Sequence, residues 1–308
     1  MKLSIVTSVY KTGKYLMQFE LGCVDMAHRN NIDAIEIIYV LDGIENDYLH
    51  AKNLPEDVTW TRKVVVLSRN FGQQRALMEG LLHVNGDFVF MIDSDMEEDP
   101  RWFGLFLETL LRCQADCVYG VQKFRKGPLF ERISGRIFYW IVKYTMNNKI
   151  EGNLCTARLM SRRFYEKLLQ FQEKEIFMAG LTSLVGFEQQ FVFVDKKYRE
   201  GGSYSLWMKV ELAARCILNH STKPLWTIII TGLVLLCLGA MYVALQIAQW
   251  LIGGAQVVGW GSVVASIWMV GGIQLVVIGI VGLYIGIIFE EIKNRPRTIV
   301  KESWQVSP

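Results

Sequence analysis

The first 120 residues alternate short apolar runs with amphipathic ones. Residues 3–9, 35–41, 64–67, 87–92 and 116–121 are rich in β-branched and other apolar side chains and read as strands. Between them, 14–29, 73–84 and 100–112 carry apolar positions at helical spacing. Pro100 stands at the start of the last, where a helix has no use for that N–H. Strands alternating with helices predict right-handed crossovers and a mainly parallel α/β sheet covered on both faces. Ligands of such sheets bind outside the carboxyl ends of the strands. Asp42, Arg69-Asn70, Asp93 and Asp95 each fall at such an end.

The pattern changes at Lys123. Over 123–149, Lys123, Arg125, Lys126, Arg132, Arg136 and Lys143 interleave with aromatic and aliphatic side chains. That spacing suits a basic amphipathic helix lying at a membrane interface, or a packed helix with a solvated basic face. Residues 205–219 repeat the pattern. From Pro224 to Phe289 no side chain is charged. Since about 20 apolar residues cross a bilayer, two spans are expected, 225–248 and 263–289, with Trp226, Trp250 and Trp260 at interfacial positions. Basic flanks on both outer sides (Lys209, Arg215, Lys223 and Lys293, Arg295, Arg297, Lys301) place both ends of this hairpin in the cytoplasm. Glycines at 271, 272, 279, 282 and 286 would let helices pack closely, within the hairpin or in a homo-oligomer. The expected organisation is a nucleotide-binding core at 1–122, an acceptor-side interfacial region at 123–223, two membrane helices within 224–289 and a basic cytoplasmic tail at 290–308.

Composition agrees with a globular domain joined to a membrane segment. The chain has 308 residues and a net charge of +3, with mean hydropathy +0.23. The six cysteines are scattered and show no pairing or zinc-like spacing, which suits reduced thiols. The four histidines are dispersed, which argues against a His-ligated metal. Residues 1–10 lack a signal-peptide pattern, and no nucleic-acid partner is expected.

Asp93-Ser94-Asp95 with Glu97 places carboxylates at alternating positions just past a strand. Hard oxygen ligands suit Mg²⁺ or Mn²⁺, which would bridge a donor's phosphates. Asp42, followed by Gly43, either accepts hydrogen bonds from a base or ribose or serves the turn itself. Ser68 to Arg75 ends a strand and opens a helix, suited to phosphate binding or to capping. Arg199 to Ser205 is a glycine turn with Arg199 and Ser203; it either closes over a diphosphate or lipid phosphate, or links.

Nearly the whole chain resembles the family 2 glycosyltransferases of GT-A fold that charge polyprenyl phosphates. The likeness runs through Val9-Tyr10, Asp42-Gly43, Leu67 to Gly72, Asp93 to Pro100, Arg158 to Arg162, Phe177 to Leu181, Val185 to Phe187, Arg199 to Ser205 and Glu290 to Arg297. The resemblance implies that Asp42 contacts the nucleotide; Tyr10, Arg69 and Asn70 are further candidate binding residues. It implies that Asp93 supports the diphosphate site and that Asp95 and Glu97 hold the metal. Arg199 and Ser203 would reach the donor diphosphate or the attacking phosphate, and Arg132 and Arg136 the lipid phosphate. The chain departs from the family in having Ser8-Val9-Tyr10-Lys11-Thr12 for the usual Pro-Val-Tyr-Asn-Glu, Glu97 where Gln is common, and Thr156-Ala157-Arg158-Leu159 for Asp-Phe-Arg-Leu.

The expected protein is an inverting, metal-dependent transferase of the inner membrane. It moves one sugar from a nucleotide-sugar, UDP-linked rather than GDP-linked and with glucose as the model sugar, to undecaprenyl phosphate. The alternatives are a membrane transferase with another acceptor in surface polysaccharide synthesis, and a non-catalytic membrane scaffold. Processive synthases carry Gln-x-x-Arg-Trp, and Arg101-Trp102 lacks that Gln.

Overall fold

The computed structural model describes residues 1–55, 58–123, 152–197, 223–253 and 259–307. These fall into two compact units, one made of residues 1–209 with Arg295–Pro308 and the other of Val210–Asn294. The amphipathic segments expected within 124–151 and 198–222 lie outside the described residues.

The first unit runs β1 (Lys2–Val9), α1 (Leu16–Arg29), β2 (Ala34–Leu41), α2 (Glu45–Lys52), β3 (Thr61–Leu67), α3 (Gln73–Leu81), β4 (Phe88–Met91), α4 (Trp102–Cys113) and β5 (Cys117–Gln122). It continues with β6 (Leu154–Ser161), α5 (Arg162–Leu168), α6 (Met178–Val185) and β7 (Gln189–Val194), and ends with β8 (Val300–Val306). The eight strands form one sheet in the order β7-β5-β6-β4-β1-β2-β3-β8. All but β6 and β8 point the same way, so the expected mainly parallel sheet is present.

The period of two along each strand divides the core. Ile5, Ile37, Tyr39, Val64 and Phe90 pack on one face with Phe19, Phe103 and Phe106 of α1 and α4. Their neighbours Val6, Ile38, Val40, Val65 and Met91 pack on the other with Leu77, Leu81, Phe164 and Leu181 of α3, α5 and α6. Strands buried on both faces need continuous apolar runs, which is why 3–9 and 35–41 stand out in the sequence. Each fully buried Ile, Leu or Phe contributes about 1.5–3 kcal/mol. Gly80 lets α3 approach the sheet, because a Cβ there would lie 2.5 Å from Val6 Cγ1.

Two buried charges are held by matching donors. Glu20 of α1 is paired with Arg62 of β3 and also accepts from Trp60 Nε1 (2.5 Å) and the Tyr39 hydroxyl (3.1 Å). At the amino ends of the strands, Glu36 accepts from Ser4 Oγ and the Asn85 N–H, both at 2.5 Å. Lys2 and Lys63 stand 3.4 and 3.6 Å from its other oxygen.

In the second unit, α7 (Lys223–Gly253) and α8 (Trp260–Ile292) are long helices. Within α8, Ser266–Ile292 has 27 residues at hydropathy 2.4 and is long and apolar enough to cross a membrane. At 1.5 Å per residue it reaches about 40 Å, against a hydrocarbon core of about 30 Å. The apolar stretch of α7 is the shorter run Leu225–Gly239. Among the described residues, one of the two expected spans therefore meets the criterion of length and composition.

The segment expected as a basic tail is partly a strand. The Ser68 N–H donates to Ile299 O at 2.9 Å, and Val300–Val306 then pairs antiparallel with β3 along the sheet edge. Val300-Lys301-Glu302-Ser303-Trp304-Gln305-Val306 has two charges and three apolar residues but no continuous apolar run. An edge strand is fixed largely by backbone pairing, so it needs no apolar run.

Glu36 supplies a prediction. Burial alone would raise its carboxyl, but Ser4, Asn85, Lys63 and Lys2 together hold it below the usual glutamate range. A depressed folded-state pKa contributes stability above the ordinary value and loses it as pH falls through the folded value. Glu36→Gln is expected to unfold at lower temperature near pH 7, with the gap to wild type closing below about pH 4. Thermal unfolding across that range checks it, and a gap independent of pH would refute it.

Candidate active site

The carboxyl ends of β1, β2 and β4 lie side by side, and the turns after β2 and β4 are both fastened to β1. The Asp42 N–H donates to Val9 O at 3.0 Å. One residue earlier, Ser8 O accepts from Ser94 Oγ at 3.2 Å. The turn after β2 and the acidic turn after β4 are thereby attached to consecutive residues of one strand.

Asp42 is buried, and its carboxylate accepts from the N–H groups of Phe71 (2.7 Å) and Gly72 (3.0 Å). Asp42 thereby clamps the loop that opens α3. Burial raises its pKa against these two amides and Arg69. Gly43 has φ +76, and a Cβ there would sit 2.2 Å from the Arg69 carbonyl carbon. The loop bearing Arg69 and Asn70 thus lies directly on this turn, with both side chains exposed. The Arg69 guanidinium stacks 4.1 Å over the Phe71 ring. Tyr10, 42% exposed, stands just past β1 on the same rim.

The acidic turn is organised around two residues that the sequence pattern does not single out. Glu98 is fully buried. It accepts from the N–H groups of Thr156 (2.9 Å) and Asp93 (3.3 Å), tying the turn to β6. Lys196, just past β7, places its ammonium 3.5 Å from Glu98, 3.5 Å from Glu97 and 3.6 Å from Asp93. Gln73 Nε2 donates to Asp93 at 2.6 Å. Burial pushes Glu98 up to about 8 and raises Asp93 and Glu97 as well, with neighbouring carboxylates adding to each and Lys196 opposing. The four acids hold the Lys196 ammonium strongly protonated against its own burial. No signal in the local sequence marks Lys196; Glu98 is visible there only as one more acid in Glu97-Glu98-Asp99.

Asp95 and Glu97 are half-buried, unlike Asp93 and Glu98. The Glu97 N–H donates to Asp95 Oδ1 at 2.9 Å, which folds the two carboxylates over one tight turn. Among the described residues, no group of three or more His, Cys, Asp or Glu side chains is gathered to hold a metal ion by itself. Two oxygen donors on a turn fit a hard cation of the Mg²⁺ type, which would need further ligands from elsewhere.

Beside the turn lies a cavity of about 130 Å³ lined by Gln73, Gln74, Thr156, Arg158 and the start of α6 at Phe177-Met178. Gln74 Oε1 accepts from the Met178 N–H at 2.8 Å. Arg158 is buried, and its guanidinium donates to Thr156 O and Cys155 O. Cys155 also lines the cavity, but burial pushes its thiol up to about 12, so it is no nucleophile at neutral pH.

The structure therefore gathers Tyr10, Asp42, Arg69, Asn70, Asp93, Asp95 and Glu97 at one edge of the sheet. Arg132, Arg136, Arg199 and Ser203 lie outside the described residues.

A mainly parallel sheet with a carboxylate turn at its strand ends is the arrangement of GT-A glycosyltransferases. The sequence pattern described as Glycosyl transferase family 2 matches residues 4–169, and the chain belongs to that family. A "Putative glycosyltransferases" protein of Mycobacterium tuberculosis is 35% identical over 98% of this chain and 88% of its own length. The SfII prophage-derived bactoprenol glucosyl transferase of Shigella flexneri is 32% identical over the full length of both chains. Among solved structures, glucosyl-3-phosphoglycerate synthase from Mycobacterium tuberculosis, in complex with Mn²⁺, UDP-glucose and phosphoglyceric acid, shares the fold. Its TM-score is 0.51 at 16% identity, over 71% of this chain and 79% of that one. The protein is a glycosyltransferase.

Removing the Lys196 ammonium would leave the buried Asp93 and the half-buried Glu97 uncompensated. Breaking a buried ion pair from one side costs about 3–5 kcal/mol, and the partly exposed Lys196 side chain, at 23%, lowers that figure. Lys196→Met is expected to cost about 2 kcal/mol at pH 7 and less at pH 4, where the acids take up protons. Denaturant midpoints at the two pH values test this; a variant midpoint equal to wild type at pH 7 would count against the central role of the lysine.

Proposed function

We propose that this glycosyltransferase moves a single sugar from a UDP-sugar, with UDP-glucose the leading candidate, to a polyprenyl phosphate. The reaction inverts the anomeric centre and takes place at the cytoplasmic face of the membrane. The observation that carries this reading is the full-length likeness to the Shigella bactoprenol glucosyl transferase. Support comes from the carboxylate turn at the strand ends and the apolar helix Ser266–Ile292.

In this reading Asp95 and Glu97 would hold a Mg²⁺ or Mn²⁺. The ion supplies charge compensation for the departing diphosphate. Asp93, fixed by Gln73 and Lys196, holds the turn in place. The loop at Arg69-Asn70 and the exposed Tyr10 flank the nucleotide. A phosphate oxygen of the lipid attacks the anomeric carbon as the bond to the nucleoside diphosphate breaks. Arg199, Ser203, Arg132 and Arg136 supply positive charge and hydrogen bonds to the two phosphate groups.

Thr156 stands where relatives of this type usually carry a carboxylate, and its N–H donates to the buried Glu98. A hydroxyl acceptor would need a general base at the moment of attack. A phosphate monoester does not, because its second pKa is near 6 and it arrives as an anion. A site with threonine at this position is compatible with a phosphate acceptor.

Purified protein with undecaprenyl phosphate, Mg²⁺ or Mn²⁺ and a panel of labelled UDP- and GDP-sugars is expected to give an organic-soluble product from one donor. Chelation should stop the reaction and added metal restore it. Asp95→Asn is expected to lower turnover about a hundredfold or more while folding is kept. Absence of product from every donor with folded protein would overturn the acceptor assignment, and wild-type turnover by Asp95→Asn would overturn the metal assignment.

A further inference from the structure

The loop after β1, Tyr10 to Gly13, lies at the carboxyl edge of the sheet and carries no carboxylate of its own. A carboxylate reaches it from elsewhere. Asp47, on α2 and 2% exposed, accepts from the Lys11 N–H at 2.6 Å and the Gly13 N–H at 2.8 Å. The contact is close: a Cβ on Gly13 would sit 2.7 Å from Asp47 Oδ1. Lys11 has φ 60, a left-handed conformation that is unfavourable for a residue with a side chain and persists only where neighbours enforce it. From the same loop, Thr12 Oγ1 lies 3.0 Å from Ser94 Oγ, inside the acidic turn.

α2 is itself braced from its far end. Lys52 Nζ lies 4.0 Å over the Trp304 ring of β8 and 3.4 Å from Glu302. The Tyr48 and Trp304 rings meet edge to face at 5.7 Å. Contacts therefore run without a break from the C-terminal strand, through α2 and Asp47, to the loop at 10–13 and on to Ser94.

We propose that Asp47 is a positioning residue for the donor nucleotide: it fixes the loop at 10–13 against the acidic turn, with β8 as the brace of its helix. The inference rests on the glycosyltransferase reading above and assigns Asp47 no contact with substrate. A preformed loop lowers the ordering cost of binding, so its loss weakens donor affinity while the chemical step keeps its groups.

The test uses the full-length protein, with UDP plus Mn²⁺ as the binding probe and sugar transfer as the kinetic one. Asp47→Asn is expected to weaken UDP binding and raise the donor KM by about tenfold, with kcat within about twofold of wild type. Trp304→Ala, which removes the ring that meets Tyr48 and Lys52, and Thr12→Val, which cuts the link to Ser94, are each expected to raise KM by about threefold. A merely structural role would lower kcat through loss of folded enzyme and leave KM in place. Wild-type UDP affinity in Asp47→Asn overturns the proposal, as does a fall in kcat alone. Should Asp47→Asn fail to fold, wild-type KM in both Trp304→Ala and Thr12→Val overturns it. A wild-type protein that binds neither UDP nor GDP removes the nucleotide-donor reading and this inference with it.

Discussion

Glu98 and Lys196 form the contact on which the catalytic edge depends. A turn that carries Asp93, Asp95, Glu97 and Glu98 within six residues is electrostatically unfavourable unless something opposes the charge. The protein does so in two ways. It buries Glu98 completely against two backbone N–H groups, and it brings the ammonium of Lys196 to 3.5–3.6 Å from three of the acids. The same contact joins β4, β6 and the segment after β7, which are brought together only by the folded sheet. Asp95 and Glu97 stay half-buried at the rim.

Around that contact the site is an assembly of backbone clamps. Asp42 closes the loop before α3, Asp47 closes the loop after β1, and Glu98 closes the acidic turn, each by accepting two amides. A buried carboxylate bonded to paired N–H groups fixes loop geometry more firmly than apolar packing can, because leaving those amides unmet costs about 1–3 kcal/mol each. Parallel sheets place such loops at one edge, so three separate clamps converge on one surface. β8 adds a constraint of a different kind. The chain leaves the first unit, forms the apolar helices, and returns to pair with β3.

The departures from the family concern the carboxylates. The loop after β1 lacks one, and Thr156 replaces another. At the first, Asp47 of α2 holds the backbone of the loop through the Lys11 and Gly13 amides. The second has no replacement on β6, and an anionic acceptor requires none.

Much of the architecture could be read from the sequence. Runs such as 35–41 and 87–92 are largely apolar because both faces of the sheet are covered, and that pattern is local. Asp42, Asp93, Asp95 and Glu97 were legible because they stand at the ends of such runs, where a parallel sheet puts its ligands. The role of Asp42 as a loop clamp was open in the sequence, since an aspartate before glycine serves a turn as readily as a ligand. Lys196, Glu98, Asp47 and β8 were decided by tertiary structure alone. Lys196 lies about a hundred residues from the acids it balances, Asp47 sits on a short polar helix, and β8 has no continuous apolar run. Periodicity reports which face of an element is buried; it carries no record of which distant charge or amide will lie against it, because those contacts exist only once the sheet has brought its strand ends together.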